Sequence, residues 1–132
     1  MVADTITRYD VRGDWDVNFD SGQRIKQMDE FSSIHYLKTK KVAVVSSRDQ
    51  YLNLKLRTVE PEDSPSGFKR KIIAHRSIDF DELPPKDGIV RASVFLTGWV
   101  LEQIEPNLVD VNFMIVSDYK ISLFVQKQTA PK

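Results

Sequence analysis

Over residues 89–104 the chain is apolar on both faces that a strand would present. Side chains alternate across a strand, so the run makes two surfaces. One carries Val90, Ala92, Val94, Leu96, Gly98 and Val100. The other carries Ile89, Arg91, Ser93, Phe95, Thr97, Trp99 and Leu101. A Glu-Pro-Asn break at 105–107 and a second apolar run over 108–116 turn this into a predicted hairpin. A strand apolar on both sides belongs in the middle of a structure, covered twice. Its mixed face either packs against a cover or lines a ligand cavity that uses a few placed polar groups.

The pattern elsewhere predicts a meander around this hairpin. Residues 4–19 read as a helix with Asp4 or Thr5 as cap and Ile6, Tyr9 and Val11 as its stripe, ending near Asp14 or Asp16. Gly22 punctuates. Strands are expected over 23–28 and 32–38. Residues 40–47 set Lys40 and Lys41 before Val42-Ala43-Val44-Val45. That segment is either a short buried strand or an apolar loop beside a basic pair, suited to an anionic membrane surface. The cleanest alternation is at 51–57, where Leu52, Leu54 and Leu56 share a face. A polar loop at 60–67 joins it to a partner strand over 68–78. After the hairpin, Asp118 can cap a short helix containing Ile121, Leu123, Phe124 and Val125. The sum is about six antiparallel strands with a short helix at each end, an α+β chain in one domain over 1–132.

Composition narrows the function. Nineteen basic and nineteen acidic residues cancel, which argues against a nucleic-acid partner. Without cysteine there is no disulfide scaffold, cysteine nucleophile or thiolate metal site. No apolar run reaches membrane-spanning length and the N-terminus does not read as a signal peptide, so a cytoplasmic protein is expected. Only two histidines occur, His35 and His75, outside any hydrolase, zinc or phosphate-loop motif. Asp79, Asp81 and Glu82 lack the spacing of a calcium loop and read as solvated. Trp99 reads as a packing residue whose indole N–H needs a partner if buried. No catalytic residue, metal or cofactor is expected.

Four segments in order resemble the START domain, the steroidogenic-acute-regulatory-related lipid-transfer family. They are Asp10-Val11-Arg12-Gly13-Asp14-Trp15-Asp16, Ser47-Arg48-Asp49, Pro84-Pro85-Lys86-Asp87-Gly88-Ile89-Val90-Arg91-Ala92, and Thr97-Gly98-Trp99-Val100-Leu101-Glu102. The resemblance implies a helix-grip fold: a curved antiparallel sheet around a C-terminal helix, enclosing a tunnel for one phospholipid, ceramide or sterol. It implies carriage between membranes without covalent chemistry, and peripheral membrane contact through Lys40, Lys41, Val42, Val44 and Val45.

The ceramide-transfer and phosphatidylcholine-transfer branches are the most similar. By position Arg12 and Asp16 match the ceramide branch's head-group pair, with Asp in place of Glu. His75 stands where that branch has asparagine, Leu37 where it has an amide, and Asn112 near its tyrosine. The sterol branch's acidic–basic pair is not matched, because Leu54 stands at the arginine's place. Leu52, Leu54 and Leu56 would line the tunnel. Relative to the family, the chain lacks a first helix and strands and most of the last helix, so a homodimer completing the fold is a further expectation. Two other readings are a protein-interaction or self-association module using the open groove, and a small-ligand enzyme with Asp16 and His75 as acid–base groups.

Overall fold

The computed structural model describes residues 2–79, 86–118 and 120. The chain opens with two short helices, α1 (Val2–Thr7) and α2 (Tyr9–Arg12). Strands β1 (Phe19–Gln27), β2 (Ser32–Thr39), β3 (Arg48–Val59) and β4 (Arg70–Ser77) follow. Then come β5 (Val90–Arg91), β6 (Ser93–Glu105) and β7 (Leu108–Asp118). The strands form one sheet in the order β1-β2-β3-β4-β6-β7, antiparallel throughout, with β5 beside β3 in parallel.

The predicted helix over 4–19 is two helices and a turn. Arg8 adopts an extended conformation that separates α1 from α2, and α2 ends at Gly13. Phe19 already belongs to β1 and pairs with Thr39. The start of β1 was hidden because its residues Asp20 to Gln23 carry no apolar alternation. Gly22 is not punctuation. It lies inside β1 opposite Leu37, and a Cβ there would fall 2.7 Å from a Leu37 methyl and 3.0 Å from the Tyr9 ring. Glycine is what lets α2 sit down on the sheet.

The long apolar strand is also divided. Arg48 and Asp49 extend past the end of β4, and β5 takes the place beside them. After Ala92 the chain steps across to pair with β4 as β6. An ion pair fixes this crossover. Asp49 is fully buried and accepts from Arg91 Nε at 2.6 Å and from the Tyr36 hydroxyl at 3.0 Å. The Arg91 guanidinium lies over the Tyr51 ring, 4.5 Å from its centre. The Arg48-Asp49 and Val90-Arg91-Ala92 segments, far apart in sequence, thus make one contact.

A register shift between Val94 and Leu96 breaks the alternation of β6. The predicted faces are therefore corrected. Val94 packs with Phe19, Leu37 and Leu52, on the side of Thr97, Trp99 and Leu101. Leu96, Gly98 and Val100 take the other side.

Two apolar clusters hold the helices to one face. Ile6 of α1 packs on Leu54, Ile73 and Leu101. Phe19, Leu37, Leu52 and Val94 form the second cluster, with Tyr9 against it. Each such side chain contributes roughly 1.5–3 kcal/mol on burial. Beneath α2 the Tyr9 hydroxyl meets His35 Nδ1 at 2.6 Å, and His35 Nε2 meets Ser33 Oγ at 2.6 Å. Burial pushes the Tyr9 phenol up to about 12, and burial, then Arg24, pushes His35 down to about 4. The expected C-terminal helix lies outside the described residues; at its predicted cap, Asp118 Oδ1 accepts the Lys120 N–H at 2.7 Å.

Candidate functional site

The helices do not cover the whole face. Beside α2 lies a cavity of about 390 Å³. Its roof is Arg12 and the 15–18 turn, and its floor comes from β2, β3, β4, β6 and β7. The floor follows from strand register. Directly paired residues share a face, so the row His75–Thr97–Ile115 and the neighbouring pair Trp99–Phe113 point the same way. Leu37 and Gln50, paired across β2 and β3, extend that floor.

An ion pair closes the roof. Arg12 Nε donates to Asp16 Oδ2 at 3.0 Å, and both side chains are mostly buried. Asp16 Oδ1 also accepts the Asn18 N–H, which tightens the turn. The Arg12 guanidinium rests 5.4 Å from the Trp15 ring centre and 5.6 Å from that of Phe19. Trp15 meets Trp99 edge-on, and Trp99 lies 4.3 Å from Phe113 between ring centres. A second lining cation among the described residues, Lys38, pairs with Asp20 at 3.1 Å.

His75 sits at the inner wall, only 8% exposed. Burial, then the Arg12 charge, then His35, hold its pKa down at about 4, so it is neutral at physiological pH. Its Nδ1 has no hydrogen-bond partner among the described residues. The same holds for Gln50 Oε1 and Trp99 Nε1, so three unpartnered buried polar atoms sit on residues that line this one cavity.

Of the residues singled out from sequence, the structure brings Arg12, Asp16, Leu37 and His75 together here. It places Leu52 and Leu54 in the core beneath the helices, with Leu52 only 1% exposed. Leu56 lies farther along β3, exposed, at a separate cavity with Arg24 and Phe31. Asn112 alternates away from Phe113 and is paired with Val100; its Nδ2 donates to Asp110. Residues 40–47 form a tight turn rather than a buried strand, with a Val42–Val45 bridge and Ala43 at positive φ. Val42 and Val44 project at 55% and 73% exposure, beside exposed Lys40 and Lys41, while Val45 is half-buried. The Lys40 N–H donates to the Asn18 carbonyl, tying this turn to the cavity roof.

Gln50, Phe113 and Ile115 were not anticipated as lining residues. Alternation alone places them on a face, and only pairing places that face next to α2. Among the described residues no cluster of three His, Asp or Glu side chains can hold a metal, and no helix is long and apolar enough to cross a membrane.

The START domain family model matches residues 1–124. No curated protein sequence matches the chain. Among solved structures, human STARD10 superposes with a TM-score of 0.81 at 20% identity, over 97% of this chain and 50% of that one. The human StarD13 (DLC2) lipid transfer and protein localization domain gives 0.77 at 20% identity, over 97% and 60%. Human StAR-related lipid transfer protein 5 gives 0.76 at 18% identity, over 90% and 56%. The chain thus spans half to three fifths of those structures, and it shares their fold: the open antiparallel sheet with short helices expected from the sequence.

Proposed function

The chain belongs to the START domain family, and from that premise we propose that residues 1–132 form one lipid-binding domain that carries a single lipid between membranes without covalent chemistry. The observation that carries this reading is the cavity itself. Its wall is apolar at Leu37, Trp99, Phe113 and Ile115, and its polar groups gather around Arg12, Asp16, Gln50 and His75. An amphipathic ligand needs that division. A head group meets the polar groups, and its adjoining methylenes gain about 25 cal/mol for each Å² of apolar surface removed from water. The chains then run along β7, where Val111, Phe113 and Ile115 are exposed.

Loading from a bilayer requires the cavity to meet it. The 40–47 turn supplies exposed Val42 and Val44 with Lys40 and Lys41, hydrogen-bonded to the roof. Shallow insertion of the valines, with the lysines facing anionic lipid, brings the cavity to a membrane surface on its cytoplasmic side. No nucleic acid and no cofactor enter this reading.

The test is transfer of a labelled lipid between donor and acceptor vesicles. Wild type accelerates transfer. Ile115→Arg, a substitution at a wall residue already 39% exposed, abolishes the acceleration while the protein stays folded by circular dichroism. No acceleration by wild type rejects the proposal. The reading as a self-association module rests on a different observation: β7 also exposes Met114 and Val116 on its other face. A homodimer through β7 shows as a doubled mass in sedimentation, and a monomer at all concentrations removes it.

A further inference from the structure

We infer that the chain holds a second ligand site, between α1 and the β6–β7 turn, which takes a single-chain amphipathic anion of the long-chain carboxylate class. The two cavities share no lining residue, so this site stands apart from the first and does not use its chemistry.

The site is a cavity of about 360 Å³. That is near the lower end for ligand pockets and suits one alkyl chain rather than two. Its floor follows from strand register. Lys71 pairs with Leu101, and Gln103 pairs with Val109, so these four side chains share the face that carries α1. Leu101 is only 5% exposed and packs with Ile6, and Ala3 and Val109 pack against that cluster. The floor is thus the open flank of the core. Its ends are tied down by Gln103. The Gln103 side chain donates from Nε2 to the Pro106 carbonyl at 3.1 Å, and its backbone N–H donates to the Lys69 carbonyl at 3.2 Å.

Charge complementarity chooses the occupant. Among the described residues the cavity is lined by Lys69 and Lys71 and by no carboxylate. Lys71 is exposed and makes no ion pair or side-chain hydrogen bond among those residues. Lys69 reaches only Glu60, at 3.5 Å, with both side chains about half exposed. A pair of that kind is weak and easily exchanged for another anion. The first cavity differs, because there Arg12 and Lys38 are each held by an aspartate. Set directly beside buried Leu101, the Lys71 stem covers apolar surface while its ammonium stays in water. An alkyl chain entering here lies on Leu101, Ala3 and Val109, and its anionic end meets two ammonium groups. A neutral amphiphile leaves that charge unused, and a cationic one is repelled. Lysine presents a point charge rather than the planar fork of arginine, so one carboxylate is enough.

Isothermal titration of the wild-type chain with decanoate, decanol and decylamine tests this, since the three share a tail and differ in charge. Decanoate binds saturably with one equivalent and about fivefold more tightly than decanol, the ratio that a partly exposed ion pair supplies. Decylamine binds more weakly than decanol. High salt shrinks the preference for decanoate, because the ammonium groups are solvent-exposed. Lys71→Gln lowers decanoate affinity about threefold, and Lys69→Gln/Lys71→Gln brings it to the level of decanol, both with wild-type melting temperatures. Ile115→Arg, at the first cavity, leaves decanoate affinity unchanged. The inference is overturned if decanoate binds no more tightly than decanol, or if the folded double lysine variant keeps the wild-type preference. It is overturned equally if Ile115→Arg abolishes decanoate binding, which moves the anion to the first cavity. No saturable decanoate binding also removes the second site, and it leaves the vesicle-transfer test of the first untouched.

Discussion

Gly22→Ala tests the docking of α2 on the sheet, and with it the position of the cavity roof. The added Cβ lands 2.7 Å from a Leu37 methyl and 3.0 Å from two Tyr9 ring atoms. Neither neighbour is free to withdraw. Leu37 is buried between Phe19, Leu52 and Val94. The Tyr9 ring is stacked on Phe19 at 6.0 Å and tethered by its hydroxyl to His35 at 2.6 Å. Overpacking of this kind costs about 1–3 kcal/mol. Replacing a strand glycine recovers roughly 0.5–1 kcal/mol of backbone entropy. The net expectation is a loss of about 1–2 kcal/mol, which at this chain length lowers the melting temperature by roughly 3–8 °C. Urea unfolding followed by tryptophan fluorescence measures it. The companion variant Gly22→Ala/Leu37→Ala makes room for the methyl, so the two changes are non-additive: the pair costs less than the sum of the singles. A Gly22→Ala protein as stable as wild type, or strict additivity in the pair, refutes the packing of α2 described here.

Three further outcomes follow from other parts of the molecule. His35 and His75 have folded pKa values near 4 against an ordinary value of 6.5; the unfolded chain therefore binds more protons between those values, and the urea midpoint is flat above about pH 6.5 and falls as pH drops toward 4. A midpoint independent of pH over that window contradicts the buried neutral imidazoles. Asp49→Ala leaves Arg91 and the Tyr36 hydroxyl without their buried partner and costs about 3–5 kcal/mol by urea unfolding, whereas a loss below ~1 kcal/mol, the range of an exposed pair, shows the pair to be solvated. Val42→Glu/Val44→Glu alters only exposed side chains, so melting stays unchanged while co-sedimentation with vesicles containing phosphatidylserine drops severalfold; unaltered sedimentation removes the 40–47 turn from the membrane contact.

Strand periodicity made most of the sheet legible. The alternation at 51–57 lies inside β3, and the break at 105–107 joins β6 to β7. What escaped was set by contacts between distant segments. Asp49 and Arg91 split the long apolar run because they pair across a crossover that local pattern does not encode. The shift at Phe95 put Val94 on the side of Thr97 and Trp99, away from Leu96, since a bulge adds a residue without changing composition. The site was half legible for the same reason. Arg12, Asp16 and His75 were singled out by the family resemblance and not by local pattern, and the structure sets all three on one cavity. Leu52 and Leu54 share the strand face of His75, but periodicity cannot say which part of it a helix covers. Ile6 and Tyr9 cover theirs, so they are core, while Gln50, Thr97 and Phe113 on the same face remain at the cavity.

Native mass spectrometry of the purified chain tests the central claim most directly. The account predicts a one-to-one adduct of lipid mass on the wild-type chain, identified after extraction, and its loss in Ile115→Arg. A spectrum of bare protein after incubation with lipid vesicles, or an adduct that Ile115→Arg leaves untouched, contradicts it.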